Sequence, residues 1–196
     1  MPLPVGLLAL QGDYEMHRQA LAEIDRETRF VRRPAELAGV SALVIPGGES
    51  TTLTRLVARA GLAEPLRAFA AEKPVLGTCA GLIMLCRELV GEAKGDFGVE
   101  PLGILDCAVS RNAYGRQIDS FTAAVDAAAL DGDPAPVRAV FIRAPRIRSV
   151  GPAAETVVTR DGEPVGVRQG RVLGLTFHPE LTSDRRLHEA FLALGD

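Results

Sequence analysis

Pro74–Leu85 reads Pro-Val-Leu-Gly-Thr-Cys-Ala-Gly-Leu-Ile-Met-Leu, and the reading of the whole chain turns on it. Val75–Thr78 is short, apolar and partly β-branched, the pattern of a buried strand. Ala80–Leu89 is apolar and free of proline, which predicts a helix packed under a sheet. Cys79 sits at the junction, with Gly77 and Gly81 two residues to either side. A sharp strand-to-helix turn crowds its own backbone and needs residues without side chains at those places. The expected product is an elbow that lifts one side chain above the carboxyl edge of a sheet. This is the Gly-x-Ser-x-Gly geometry with sulfur in place of oxygen. A helix N-terminus at that point would favour an anionic sulfur. Alone, Cys79 reads equally well as a small buried apolar residue, so the flanking sequence has to decide.

Towards the N-terminus the chain alternates. Val5–Leu10 is an apolar run closed by Gln11-Gly12, and Asp13 can cap a helix over Tyr14–Ile24. Met16, Ala20, Leu21 and Ile24 fall on one face of that helix. Glu27–Val31 reads as a more polar strand nearer an edge, and Pro34–Leu37 as a short turn of helix. Ala42–Ile45 is a third apolar strand, ended by Pro46-Gly47-Gly48. A helix then runs to about Arg59 with Ser50 or Thr51 as cap, and another covers Leu62–Ala71. Strand and helix thus alternate through the first 90 or so residues, which predicts parallel strands with right-handed crossovers, covered on both faces.

Beyond Gly91 the pattern changes. Glu92–Glu100 is a charged, glycine-containing loop, and Asp126–Pro136 reads as a surface loop. Leu105–Val109, Phe121–Val125, Val137–Ile142, Thr156–Thr159, Val165–Gln169 and Val172–Phe177 are short β-prone runs, expected as antiparallel strands extending or flanking the sheet. Asp161-Gly162 predicts a tight hairpin turn. Ser183–Leu194 is a terminal helix with Leu187, Ala190, Phe191 and Leu194 inward.

Composition limits the function classes. The 196 residues suit one domain, 1–196, with a sizeable core. A net charge of −3 without a Lys/Arg cluster gives no nucleic-acid footprint. No apolar run reaches membrane-spanning length, and no signal peptide is evident. Three cysteines without framework spacing point to a reducing cytoplasm rather than disulfides. Trp is absent, so the core must be aliphatic.

A nucleophilic Cys needs a base, and the base needs an orienting partner. Of three histidines, His17 and His188 lie inside helices and read as structural. His178 follows the run Val172–Phe177 and precedes Pro179-Glu180. Pro179 biases His178 to extended geometry, in which residues 178 and 180 point the same way. Glu180 can then hold the far ring nitrogen. Cys79, His178 and Glu180 form a candidate triad for acyl transfer through a thioester, with Gly47-Gly48 contributing to an oxyanion hole. Cys86 and Cys107 read as core residues, and Cys79/Cys86 has no metal-ligand spacing. The residues themselves say amide or ester cleavage and do not name a substrate.

Gly-Thr-Cys-Ala-Gly, Pro-Gly-Gly-Glu-Ser and Phe-His-Pro-Glu-Leu together resemble the class I, triad-type glutamine amidotransferases. Leu10-Gln11-Gly12, Pro46–Thr52, Ser110–Phe121 and Phe141–Pro145 are similar, within that group, to the glutaminase subunits of pyridoxal 5'-phosphate synthase. The resemblance implies an α/β three-layer sandwich with a mixed, mainly parallel, flavodoxin-like sheet. It implies hydrolysis of L-glutamine to glutamate and ammonia by Cys79, His178 and Glu180. Gly47, Gly48, Glu49 and Ser50 would hold the glutamine and the oxyanion. Arg111, Ile142 and Arg143 would close the pocket; an Arg suits a carboxylate because it makes a planar two-point contact. The ammonia would pass to a (β/α)8-barrel synthase that builds pyridoxal 5'-phosphate from pentose and triose phosphates. Docking is expected near Gln11, Pro46–Ser50 and Tyr114–Gln117, and no metal or cofactor is implied for the glutaminase itself. Two other readings stay open: a triad glutaminase serving another acceptor, as in imidazole glycerol phosphate or cobyric acid amidotransferases, and a non-catalytic binding module on the same fold.

Overall fold

Alternate residues of the central strands face opposite cores, and this divides the molecule into three layers. The computed structural model describes residues 3–91, 100–111 and 120–195. Its first half runs β1 (Val5–Leu8), α1 (Tyr14–Ala22), β2 (Thr28–Val31), β3 (Ala42–Ile45), α2 (Ser50–Arg59), α3 (Ala63–Glu72), β4 (Val75–Thr78) and α4 (Ala80–Leu85). The second half runs β5 (Cys86–Leu89), β6 (Leu105–Ser110), β7 (Ser120–Val125), α5 (Ala128–Asp131), β8 (Val137–Ile142), β9 (Arg146–Val150), β10 (Glu155–Arg160), β11 (Glu163–Gln169), β12 (Val172–Leu175) and α6 (Arg186–Ala193).

The main sheet has seven strands in the order β10-β11-β12-β4-β3-β1-β2. The five strands from β12 to β2 are parallel, and β10 and β11 are antiparallel additions at one edge. Leu8, Leu43, Ile45 and Val75 join a core with Leu53 and Val57 of α2, Leu66 of α3 and residues of α4, β5, β6 and β9. Leu7, Val44, Leu76 and Leu173 join the opposite core with Leu21 of α1, Phe141 of β8 and Leu187 and Phe191 of α6. A strand's period of two thus feeds both faces at once. A small sheet, β5-β6-β9, and a hairpin, β7-β8, complete the outer layers. Ignoring the antiparallel edge, the parallel order is the flavodoxin-like one, whose functional crevice opens where the chain reverses direction between β1 and β3.

Several local expectations need correction. The helix expected over Ala80–Leu89 stops at Leu85, and Cys86 opens β5. Val172–Phe177, expected among the antiparallel strands, gives β12, which pairs parallel with β4 and antiparallel with β11. The cap of α2 is neither Ser50 nor Thr51: the Glu49 carboxylate accepts from the Thr51 and Thr52 amides at 3.0 and 2.7 Å. Asp13 begins α1 without a side-chain capping bond. β9 has no counterpart among the expected strands, and α5 lies inside the expected 126–136 loop. The Asp161-Gly162 turn does join two antiparallel strands, with φ of 52° and 80°. The loop expected at 92–100 falls almost wholly outside the described residues, as does the motif segment 112–119.

The two glycines around Cys79 are dictated by close approach. A Cβ on Gly81 would lie 2.2 Å from the Ile45 carbonyl oxygen, and one on Gly77 would lie 2.8 Å from the Gly81 carbonyl carbon. α4 therefore rests directly on the ends of β3 and β4. Gly81→Ala should cost about 1–3 kcal/mol of stability, because backbone rather than a flexible side chain must yield. Urea denaturation of the variant against the parent protein checks this.

Candidate active site

Cys79 is where the crowding puts strain. Its φ is 49° and its ψ −102°, a backbone region that a residue with a side chain rarely adopts. Its amide donates to the Leu175 carbonyl of β12 at 2.8 Å, and its carbonyl accepts from Ile83 of α4. The side chain is thus fixed above the carboxyl ends of β4 and β12, and it is 7% exposed.

His178 lies three residues beyond β12. Its amide donates to the Val140 carbonyl of β8 at 2.8 Å, so the β7-β8 hairpin sets the ring's position. Glu180 follows in a single 3-10 turn, Pro179–Leu181. The extended geometry expected for residues 178–180 therefore ends at His178. The turn still brings Glu180 Oε1 to 2.7 Å from His178 Nδ1. With Nδ1 held by the carboxylate, Nε2 is the ring nitrogen left for the Cys79 side chain, whose Cβ and the His178 ring both border Gly47. His178 and Glu180 are 3% and 2% exposed, so the pair is shielded from water.

That shielding sets the electrostatics. Burial alone pushes the His178 imidazolium down, but Cys79 and the Glu180 carboxylate outweigh it and hold His178 at about 10. Burial pushes the Glu180 carboxyl up, and His17 and His178 more than reverse that, leaving it below the ordinary carboxylate range. Cys86 and Cys107 behave otherwise: burial, and then each one's neighbouring thiol or carboxylate, pushes both thiols up, Cys107 to about 12. Both are buried core residues, and all three cysteines are free thiols.

The Pro46–Ser50 loop passes beside this pair. A Cβ on Gly47 would lie 2.3 Å from His178 Cε1 and 3.3 Å from Cys79 Cβ, so only a bare backbone fits there. The loop is clasped by the turn after β1: the Asp13 amide donates to the Gly47 carbonyl at 3.1 Å, and the Glu49 amide donates to Gln11 Oε1 at 2.9 Å. Gly48 has a φ of 157° and rests against the Gln11 side chain. Ser50 is buried at the start of α2. The Glu49 side chain faces its own helix, and its bonds to Thr52 and Thr51 hold it at about 2. Ile142 presents its carbonyl 3.9 Å from Cys79 Sγ. Arg143 follows, exposed and at a φ of 41°, in the turn leaving β8. Arg111 directly follows β6 and is partly buried. Of the expected docking surface, Gln11 and Pro46–Ser50 flank the site, and Tyr114–Gln117 lies outside the described residues.

Among the described residues one set of metal-type ligand atoms converges, on Asp13, His178 and Glu180, within 4.8 Å of one another. Two of these already bond each other. Sequence reasoning missed His17: its Nε2 is 3.3 Å from Glu180 Oε2. α1 starts at the carboxyl end of β1, beside the crevice, but nothing in its own pattern says what stands opposite His17.

This constellation of an elbow cysteine, a buried His–Glu pair and a glycine loop can form and break acyl–sulfur bonds. The chain matches the model of the SNO glutamine amidotransferase family over residues 7–194. It is 53% identical over 194 residues to "Pyridoxal 5'-phosphate synthase subunit PdxT" of Deinococcus radiodurans, covering 98% of this chain and 97% of that one. It is 52% identical over 190 residues to the protein of the same name in Mycolicibacterium vanbaalenii, covering 96% of each. A crystal structure of a glutamine amidotransferase superposes with a TM-score of 0.88 at 42% identity, covering 97% of this chain and 98% of that one. A putative GMP synthase subunit from Thermoplasma acidophilum, at 15% identity and a TM-score of 0.65, shares the fold. From the first strand to the last helix, then, the chain belongs to the SNO glutamine amidotransferase family.

Proposed function

We propose that the chain is the glutaminase subunit of a pyridoxal 5'-phosphate synthase, a single domain that hydrolyses L-glutamine and hands on the ammonia. The observation that carries this reading is the strained Cys79 elbow set beside a buried, hydrogen-bonded His178–Glu180 pair. The names of the relatives at more than 50% identity supply the destination.

In this mechanism His178 takes the Cys79 proton, and the sulfur adds to the carboxamide carbon of glutamine. The oxyanion that forms is met by the Gly47-Gly48 backbone and by the Ala80 amide, which at the first turn of α4 has no partner within its helix. His178 returns the proton to the leaving nitrogen, ammonia departs, and a glutamyl thioester remains. Water, deprotonated by His178, adds to the thioester carbonyl; the sulfur leaves, and glutamate is released. Gly48, Glu49 and Ser50 hold the substrate, and Arg111, Ile142 and Arg143 close the pocket, with an Arg suited to the α-carboxylate.

The partner in this reading is a (β/α)8-barrel synthase subunit docked near Gln11 and Pro46–Ser50. Ammonia near neutral pH is mostly protonated and no longer nucleophilic, so a closed path between the two sites protects it. No helix among the described residues is long and apolar enough to cross a membrane. Three free thiols support a reducing, cytoplasmic setting.

Cys79→Ala should reduce glutamine-dependent ammonia release to background, and a chromogenic glutamine analogue that labels the parent chain should leave the variant unlabelled; retained turnover would overturn the reading. Glutaminase turnover should rise when the synthase subunit is added, and equal rates with and without it would remove the partner. Because Glu180 is one of the groups that hold His178 up, Glu180→Gln should move its titration downward from about 10. Ring NMR resonances of His178 followed from pH 6 to 11 read this shift directly. Turnover in the same variant should fall about 10²- to 10⁴-fold.

A further inference from the structure

Glu180 has two carboxylate oxygens, and the mechanism above uses one. Oε1 is bonded to His178. Oε2 is buried, makes no hydrogen bond among the described residues, and faces His17 Nε2 at 3.3 Å. The same His17 nitrogen is 3.3 Å from Thr78 Oγ1, the residue before the cysteine. Behind it, His17 Nδ1 meets His188 Nε2 at 3.1 Å, with the two rings edge to face. Both imidazoles are 0% exposed. Glu180, His17 and His188 therefore form one buried row, drawn from α1, the turn after β12, and α6.

Elementary hydrogen-bond chemistry fixes the direction of this row. A lone pair on His17 Nε2 would face the carboxylate charge 3.3 Å away, so His17 must present an N–H there, beside both Glu180 and the Thr78 hydroxyl with which Nε2 hydrogen-bonds. A neutral ring with its proton on Nε2 has a lone pair on Nδ1, so His188 must present its own N–H at Nε2. His188 Nδ1 then carries a lone pair, and that atom has no hydrogen-bond partner among the described residues. Both N–H groups thus lie on the Glu180 side of their rings. The groups facing His17 balance in the same sense. Burial, His178 and Arg185 oppose a charged ring, Glu180 and Asp13 favour it, and burial prevails, so the ring is held neutral. Burial and the neighbouring His17 hold His188 at about 3.

A glutamate bonded through one oxygen can still swing, because its terminal torsion is broad. We propose that His17, oriented by His188, is a positioning residue of the triad: its Nε2–H attracts the otherwise unpartnered second oxygen of Glu180 and so keeps the first on His178. His17 touches neither glutamine nor Cys79 in this role. The turnover arm of the test rests on the glutaminase reading; the arms that read the rings and the thiol do not.

The wild-type protein, labelled with ¹⁵N-histidine, should show His17 as the neutral Nε2–H form from pH 8 down to pH 6. A charged ring, or a proton on Nδ1, would overturn the proposal without any variant having to fold. His17→Leu should lower kcat about 10- to 100-fold while KM stays within about twofold. It should also slow alkylation of Cys79 by iodoacetamide several-fold at pH 7, because an imidazolium deprived of a well-placed carboxylate supports the thiolate less. His17→Gln, whose amide N–H reaches to about the place of the ring Nε2, should recover most of both losses. Turnover and alkylation within about twofold of wild type in a folded His17→Leu protein would refute the role. Wild-type protein that shows the expected ring state and an alkylation rate that falls in His17→Leu, but never hydrolyses glutamine, would instead overturn the glutaminase reading.

Discussion

A carboxylate taken out of water is the constraint on which this structure depends. Glu180 is 2% exposed, and an ion so placed survives only if neighbouring groups compensate its charge. His178 hydrogen-bonds one oxygen at 2.7 Å, and the His17 ring stands 3.3 Å from the other. The two rings come from distant parts of the chain, so one charge ties the turn after β12 to α1 and, through His188, to α6. The same dryness strengthens the pull of Glu180 on His178, since Coulomb attraction is less screened there. The ion that would be costly alone is what holds the His178 imidazole in place beside Cys79.

The second constraint is steric. β3, β4, α4 and the Pro46–Ser50 loop meet with no room for a Cβ at Gly47, Gly77 or Gly81. This crowding holds Cys79 in its unfavourable φ and ψ, because relaxing that residue would drive α4 into Ile45. Backbone strain of this kind persists only where surrounding packing over-determines it.

Much of this was legible from the residues. The alternation of apolar runs and capped helical segments up to Leu85 dictated a parallel sheet, since the local patterns there agree with the tertiary one. Gly77, Cys79 and Gly81 announced the elbow because the geometry tolerates nothing larger. The helix end at Leu85 was not legible: Cys86-Arg87-Glu88-Leu89 suits helix and strand alike, and pairing with β6 decides. β12 was misread as antiparallel because its four apolar residues carry no mark of direction. The caps failed for a local reason, as Glu49, one residue before Ser50, has the longer reach to two amides. His17 was misjudged because helical position says which face a residue occupies and not what stands opposite. Glu180 reaches that face through 160 residues of intervening chain.

The order of strands has a kinetic consequence. β12 is the last strand in sequence, yet it sits inside the sheet between β4 and β11. Its Leu175 carbonyl receives the Cys79 amide, and it leads directly to His178. Closing that gap is a long-range event, of the kind that slows folding. A nascent polypeptide therefore carries its thiol well before the imidazole arrives, and the two meet only once the sheet is sealed. Topology acts as a safety catch during biosynthesis.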